Sequence, residues 1–223
     1  MAKKATKINT EKNNNSARKI ARKVVFCSVL IVSLWWVFWL GSQCLFMIDV
    51  PVLTKWLLSA EPSVNFVSVT IWIIVANLIA LAFYHWSLRD YSFLRIKDKW
   101  DIAAYVIPLG LITILLVSRS TAFEVPIITY IIAMVATTFC QQLLTFGFMQ
   151  TALSIYIGAS IAAVVTCVMF YLGHFMATET FTFMGITMVA GFILFSWLRF
   201  KRGNIYLANA VHVSWALAMT LFF

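Results

Sequence analysis

An all-α integral membrane protein, a bundle of about seven transmembrane helices, is the fold class this sequence predicts. Three observations predict it. Hydrophobic residues make up 62% of the 223 residues and charged ones only 11%, whereas a soluble domain averages about half apolar and about a quarter charged. Mean hydropathy is +0.91, more apolar surface than one soluble core can hide. The apolar residues fall into runs near the length that a helix needs to cross a bilayer, about twenty residues, and basic residues gather at the ends of those runs.

Residues 1–23 read as a basic, disordered cytoplasmic tail. Lys3, Lys4, Lys7, Lys12, Arg18, Lys19, Arg22 and Lys23 stand against one acid, Glu11, and Asn13 to Asn15 interrupt any helical pattern. The run from Val24 to Ile48 is too long for a signal-peptide core and no small-residue cleavage site follows it, so it reads as a retained first span. Further runs cover roughly 64–86, 102–118, 125–155, 159–177, 182–198 and 204–222. The fourth of the seven is long enough to tilt or to protrude. The polar stretch 87–101 carries Tyr91 and Trp100 beside basic residues, with Trp86 just ahead of it, as expected at a headgroup layer. No linker or tandem repeat divides residues 24–223, which read as one polytopic membrane domain.

The net charge of +9 would suit nucleic acid if it lined one soluble face. It clusters at span ends instead, which points to orientation in a membrane and against a nucleic-acid partner. With the N-terminus cytoplasmic, the tail, residues 87–101 and Arg199, Lys201 and Arg202 lie inside. Only Lys55 and Arg119 lie outside. Seven spans then place Phe223 outside. The implied location is a plasma membrane, bacterial in character, with the lipid bilayer as the first partner. Cys27, Cys44, Cys140 and Cys167 form no metal pattern and read as small apolar residues.

Few polar groups lie within the runs: Asn77, Gln141, Gln142, His174, Asn209 and His212, with His85 near a span end. Such groups are costly in lipid and face other helices. No Asp or Glu lies in mid-span, so the general base or metal ligand that membrane-embedded hydrolysis normally needs is missing. Gly173 and Ala177 allow a neighbouring helix to approach closely.

Three short motifs in order carry a resemblance. Gln141-Gln142-Leu143-Leu144-Thr145-Phe146-Gly147 is followed by Phe170-Tyr171-Leu172-Gly173-His174, and then by Asn209-Ala210-Val211-His212-Val213-Ser214-Trp215-Ala216, with a basic turn at Gly203 ahead of it. Over about 125–222 this resembles the CPBP group of intramembrane proteases, also called the Abi or CAAX-protease-and-bacteriocin-processing family, which shows EExxxR, FxxxH and HxxxN on successive helices. The resemblance implies a CPBP/Abi-like bundle in the C-terminal half. It also implies a site in which glutamate and histidines activate a water and an asparagine stabilises the oxyanion.

Here the glutamate positions are Gln141 and Gln142, the arginine position is Phe146, and the asparagine position is Ala216. His174 and His212 remain. A glutamine amide has no useful basicity, and two neutral histidines alone make a weak zinc site. No catalytic residue, metal or other cofactor is therefore expected; zinc on His174 and His212 is the minor alternative. Phe170 and Asn209 are the expected binding residues, and Gln141 or Gln142, His174 and His212 are expected to meet in one cavity with Asn209 beside His212. The expected function is a proteolytically inactive scaffold or regulator that binds another membrane protein, in cell-envelope assembly, signalling or bacteriocin handling. The alternative is an active intramembrane peptidase with a divergent residue set. A small transporter is disfavoured by the absence of mid-span charge.

Overall fold

A computed structural model describes the backbone of residues 2–47, 61–118, 127–177 and 183–219, with side chains described over 18–41, 70–118, 127–174 and 189–218. Lys55, Arg119 and Phe223, which the outer-side assignment uses, lie outside the described residues, as does the side chain of Ala177. The described residues form seven helices, one on each predicted run, and no strand.

Helix α1 covers Ala2–Met47. Its first turns take in the basic segment expected to be disordered, so the backbone there is helical instead. Nucleation is the costly step in helix formation, and the apolar span that follows supplies it. Helix α2 covers Glu61–Ser87. Its end is closed by Arg89 in the left-handed region at φ 55°, whose Nε donates to the His85 carbonyl at 2.9 Å. Helix α3 covers Lys99–Ser118, with Pro108 inside it. Helix α4 runs Ile127–Ile157 and changes to π-helical winding over Leu143–Met149.

Gly158, at φ 78°, turns the chain directly from α4 into helix α5, Ala159–Ala177. Only a glycine enters that conformation freely. Helix α6 is Phe183–Arg202, Gly203 turns the chain at φ 69°, and helix α7 is Tyr206–Met219.

Among the described residues, Arg18–Gly41, Thr70–Ser87, Lys99–Ser118 and Ile127–Ile157 are long and apolar enough to cross a bilayer, and Ala159–His174 is a shorter apolar helix. These make a multi-pass membrane protein. The exterior agrees: Val29, Leu78, Ile114, Ile132 and Val164 are exposed apolar side chains, as lipid-facing positions should be.

Helix α1 packs on α2, α2 on α4, α5 on α6, and α4 and α6 on α7, while α3 packs chiefly against α7. Hydroxyl and indole bonds tie the layers. Thr70 and Thr137 share a bond of 2.8 Å between α2 and α4, and Trp35 Nε1 donates to Thr145 Oγ1 at 2.9 Å between α1 and α4.

The α2–α3 loop and the α6–α7 turn meet at one end of the bundle. Ile205 N–H donates to the Phe93 carbonyl, and Tyr206 Oη to that of Leu94. Asp101, although 2% exposed, accepts from the Lys97 N–H, Asn204 Nδ2 and Arg202 Nη2. Arg202 also bridges to Asp98 at 2.9 Å. Its hydrogen bonds to the two carboxylates, Asp101 first, raise its pKa above the ordinary arginine value.

Candidate functional site

The site is built where α4, α5 and α7 face one another, and local winding decides which side chains reach it. In the α4 segment Leu143–Met149 the i→i+5 pairing widens the helix, so that the Gln150 N–H faces the carbonyls of Thr145 and Gly147. Such π-helical turns recur at functional sites. This one buries Leu144 through Met149 consecutively, which no regular α-helical face does. Gly147 admits the Phe93 ring at the same level, since a Cβ there would lie 3.0 Å from it.

Gln142, just before the π-helical turn, is fully buried, and its Nε2 donates to His212 Nδ1 at 3.2 Å. That contact leaves the His212 ring proton on Nε2. Gln142 Oε1 has no hydrogen-bond partner. Gln141 is only half-buried. His174, on α5, donates from Nδ1 to the Phe170 carbonyl one turn back, at 2.9 Å. The two imidazoles lie 6.4 Å apart, centroid to centroid.

Around them stands an aromatic box. Phe170 is its hub, with ring centroids 4.6 Å from His174, 5.6 Å from His212, 5.2 Å from Phe146 and 4.9 Å from Phe192. Phe195 lies 5.0 Å from His212. From α1, Trp39 closes the box at 4.6 Å from His174. The approach depends on Gly173, where a Cβ would lie 2.6 Å from the Trp39 ring. The expectation that Gly173 admits a neighbouring helix is met by a tryptophan.

Thus Gln142, His174 and His212 come together, with Phe146 and Phe170 packed against them. Ala216 lies half-buried on α7 one turn beyond His212. Asn209 does not join them. Its Oδ1 accepts a hydrogen bond from the Tyr105 hydroxyl of α3, and it lines a separate groove between α3, α4 and α7.

Sequence reasoning missed Arg199. It was placed with the solvated basic residues, yet it is 9% exposed. Its Nε donates to the Phe146 carbonyl at 3.0 Å and its Nη2 to Thr151 Oγ1 at 3.1 Å, with the guanidinium 5.9 Å from the Phe93 ring centroid. The only signal was its place at the seam of an apolar run and a basic cluster. The π-helical turn explains the burial, because its displaced carbonyl at Phe146 needs a donor.

Chemically, the arrangement offers two neutral imidazoles, one amide and an apolar enclosure. Among the described residues no three of His, Cys, Asp and Glu gather, so the residues here do not make the ligand set that zinc takes.

Residues 123–218 match the family model described as type II CAAX prenyl endopeptidase, Rce1-like. That segment covers α4 to α7 and contains Gln142, His174 and His212. No curated protein and no solved structure matches the chain.

Proposed function

We propose, from the similarity of residues 123–218 to the Rce1-like endopeptidases, that this chain is a CPBP-type membrane scaffold that does not cleave peptides and that binds another membrane protein. The observation that carries the reading is the Gln142–His212 contact. In the family pattern a carboxylate faces the histidines as a base. Here an amide occupies the position, donates to the imidazole and cannot accept a proton at neutral pH. Phe146 stands at the arginine position and fills space against Phe170, and Ala216 offers no donor where an oxyanion would form. A base is worth about 10²–10⁴ in rate and one oxyanion donor about 10²–10³. Losses of that kind are not restored one residue at a time.

The orientation follows the positive-inside rule: N-terminus cytoplasmic, seven crossings, C-terminus outside, in a plasma membrane and without a resident metal or other cofactor. The α2–α3 loop and the α6–α7 turn meet at one end, as two segments on the same side of the bilayer should. The partner is a membrane protein of cell-envelope, signalling or bacteriocin-related type.

Arg199 favours the second reading, an active peptidase with a divergent residue set. It supplies a buried guanidinium at the level of Phe146. The scaffold reading is preferred because that guanidinium spends its hydrogen bonds on a carbonyl and a hydroxyl. The test incubates the detergent-purified chain with membrane-spanning peptides beside its His174→Ala and His212→Ala variants. No cleavage by any of the three is expected. Cleavage by the parent that disappears in either variant would replace the scaffold reading with the peptidase one.

A further inference from the structure

The groove between α3, α4 and α7 is separate from the histidine box and has a volume of about 690 Å³, within the range of about 300–1,000 Å³ typical of ligand pockets. Its walls are Ile102, Leu109, Ile131, Ile132, Val135 and Phe139, with Asp101, Tyr105, Tyr206 and Asn209 at one end. It exists because α3 packs along α7 and only sparsely against α4, leaving a cleft open to the surrounding lipid.

Three observations say what fits it. The first is length. On α3 the groove extends from Asp101 to Leu109 and on α4 from Ile131 to Phe139, about 12 Å of helix at 1.5 Å per residue. That is close to one leaflet of hydrocarbon, half of a core about 30 Å thick, and too short to seat a whole transmembrane helix. The second is an unpaired donor. Asn209 is 1% exposed and lines the groove, its Oδ1 is taken by Tyr105, and its Nδ2 has no hydrogen-bond partner. A buried amide N–H₂ calls for an acceptor. The third is charge. Arg95, Lys97 and Lys99 are exposed and flank in sequence the lining residues Ile96 and Asp101, while the nearby acids Asp98 and Asp101 are already bridged to Arg202.

We propose that this groove holds one acyl chain of an anionic phospholipid. The chain lies against Leu109, Val135 and Phe139, its ester carbonyl accepts from Asn209 Nδ2, and its phosphate faces Lys97 and Lys99. Basic residues near a membrane surface attract anionic headgroups, and an apolar slot with one placed donor fixes the orientation of a chain. The site is independent of the reading of the histidine box.

The experiment reconstitutes the full chain in lipid nanodiscs that contain a phosphatidylglycerol with a photoactivatable diazirine in one acyl chain, and maps the adducts by peptide mass spectrometry. Adducts should concentrate on residues 102–109 and 131–139 and be displaced by unlabelled phosphatidylglycerol better than by phosphatidylcholine. Ala136→Trp, which fills the groove, should abolish them, whereas Val164→Trp on the far side of the bundle should not. Asn209→Leu should weaken labelling about fivefold, the equivalent of one hydrogen bond. Labelling spread evenly over the exposed apolar perimeter, equal displacement by the two lipids, or capture of a membrane protein in the groove of the native membrane would each overturn the proposal. The lipid competition on the parent chain decides the matter even if a groove variant fails to fold.

Discussion

Gly173→Ala should destabilise this protein where Gly110→Ala stabilises it, although both replace a glycine inside an apolar helix. A Cβ at 173 would lie 2.6 Å from two carbons of the Trp39 ring and 2.8 Å from its Nε1, against an ordinary contact of about 3.5–4.0 Å. The indole would have to move by about 1 Å to restore that contact. It has nowhere to go, because Phe38, Trp35, Phe170 and His174 surround it with centroids between 4.6 and 6.1 Å away. Overpacking of this kind costs about 1–3 kcal/mol, partly offset by about 1 kcal/mol of helix propensity. At Gly110 nothing lies within 4 Å, so only the propensity gain remains. The difference between the two variants should be about 1–3 kcal/mol. The assay is denaturant unfolding in mixed micelles, with each variant repeated in a Trp39→Leu background that removes the obstructing ring. There the cost of Gly173→Ala should disappear while the effect of Gly110→Ala stays. Equal effects of the two alanines, or a coupling between 173 and 39 within about 0.5 kcal/mol of zero, would refute the close-packing argument.

Reporters fused after Phe223 and near Lys97 should read as non-cytoplasmic and cytoplasmic respectively; a cytoplasmic C-terminus would show that the chain crosses an even number of times. Arg199→Leu should cost about 1–3 kcal/mol by taking the buried donor from the Phe146 carbonyl and from Thr151 Oγ1, and Arg199→Lys should recover only part of it, because an ammonium lacks the fork that reaches both acceptors. Arg202→Ala should cost more than Lys201→Ala in the same unfolding assay, since it strips a partner from the buried Asp101, whereas an exposed lysine is worth within about 0.5 kcal/mol. Removing residues 2–17 should leave the micelle-purified protein folded and monodisperse by size exclusion, because the span beginning at Arg18 carries Cys27, Ile31 and Trp35, which join the buried core.

The helices were legible because lipid imposes a length on each apolar run, and apart from α1, which begins at Ala2 well ahead of its run, each described helix begins and ends within a few residues of its run. The meeting of His174 with His212 was legible from the order of the motifs. Which glutamine joins them was not. Gln141 and Gln142 are adjacent, and the rotation of the helix that buries one and half-exposes the other shows in no composition. The π-helical turn was invisible for a related reason: it buries residues 144 to 149 in an unbroken series, and an apolar series in a membrane protein reads equally well as lipid-facing. Asn209 was placed beside His212 because residues three apart share a helix face. Successive positions at that spacing still diverge by about 60°, enough to carry Asn209 across to Tyr105 on α3. Arg199 was misplaced because counting basic residues at span ends treats all of them as solvated.

The segment that matches the endopeptidase family begins at residue 123, yet its site is not closed by that segment alone. Trp39 seals the aromatic box against His174, and Trp35 bonds to Thr145 inside the π-helical turn. Phe93 lies over Gly147, and Thr70 bonds to Thr137 just ahead of the buried glutamine. Each contact comes from α1, α2 or the loop after α2, and each falls within about two turns of a residue that lines the box. The fit of Trp39 against Gly173 is tight enough that a single added methyl disturbs both. An isolated 123–218 segment would therefore expose Phe170 and the His174 imidazole where Trp39 now covers them, and would leave Thr145 without its buried indole partner. The shape of the box is set as much by the first hundred residues as by the motif-bearing helices, so the properties of the box belong to the whole bundle.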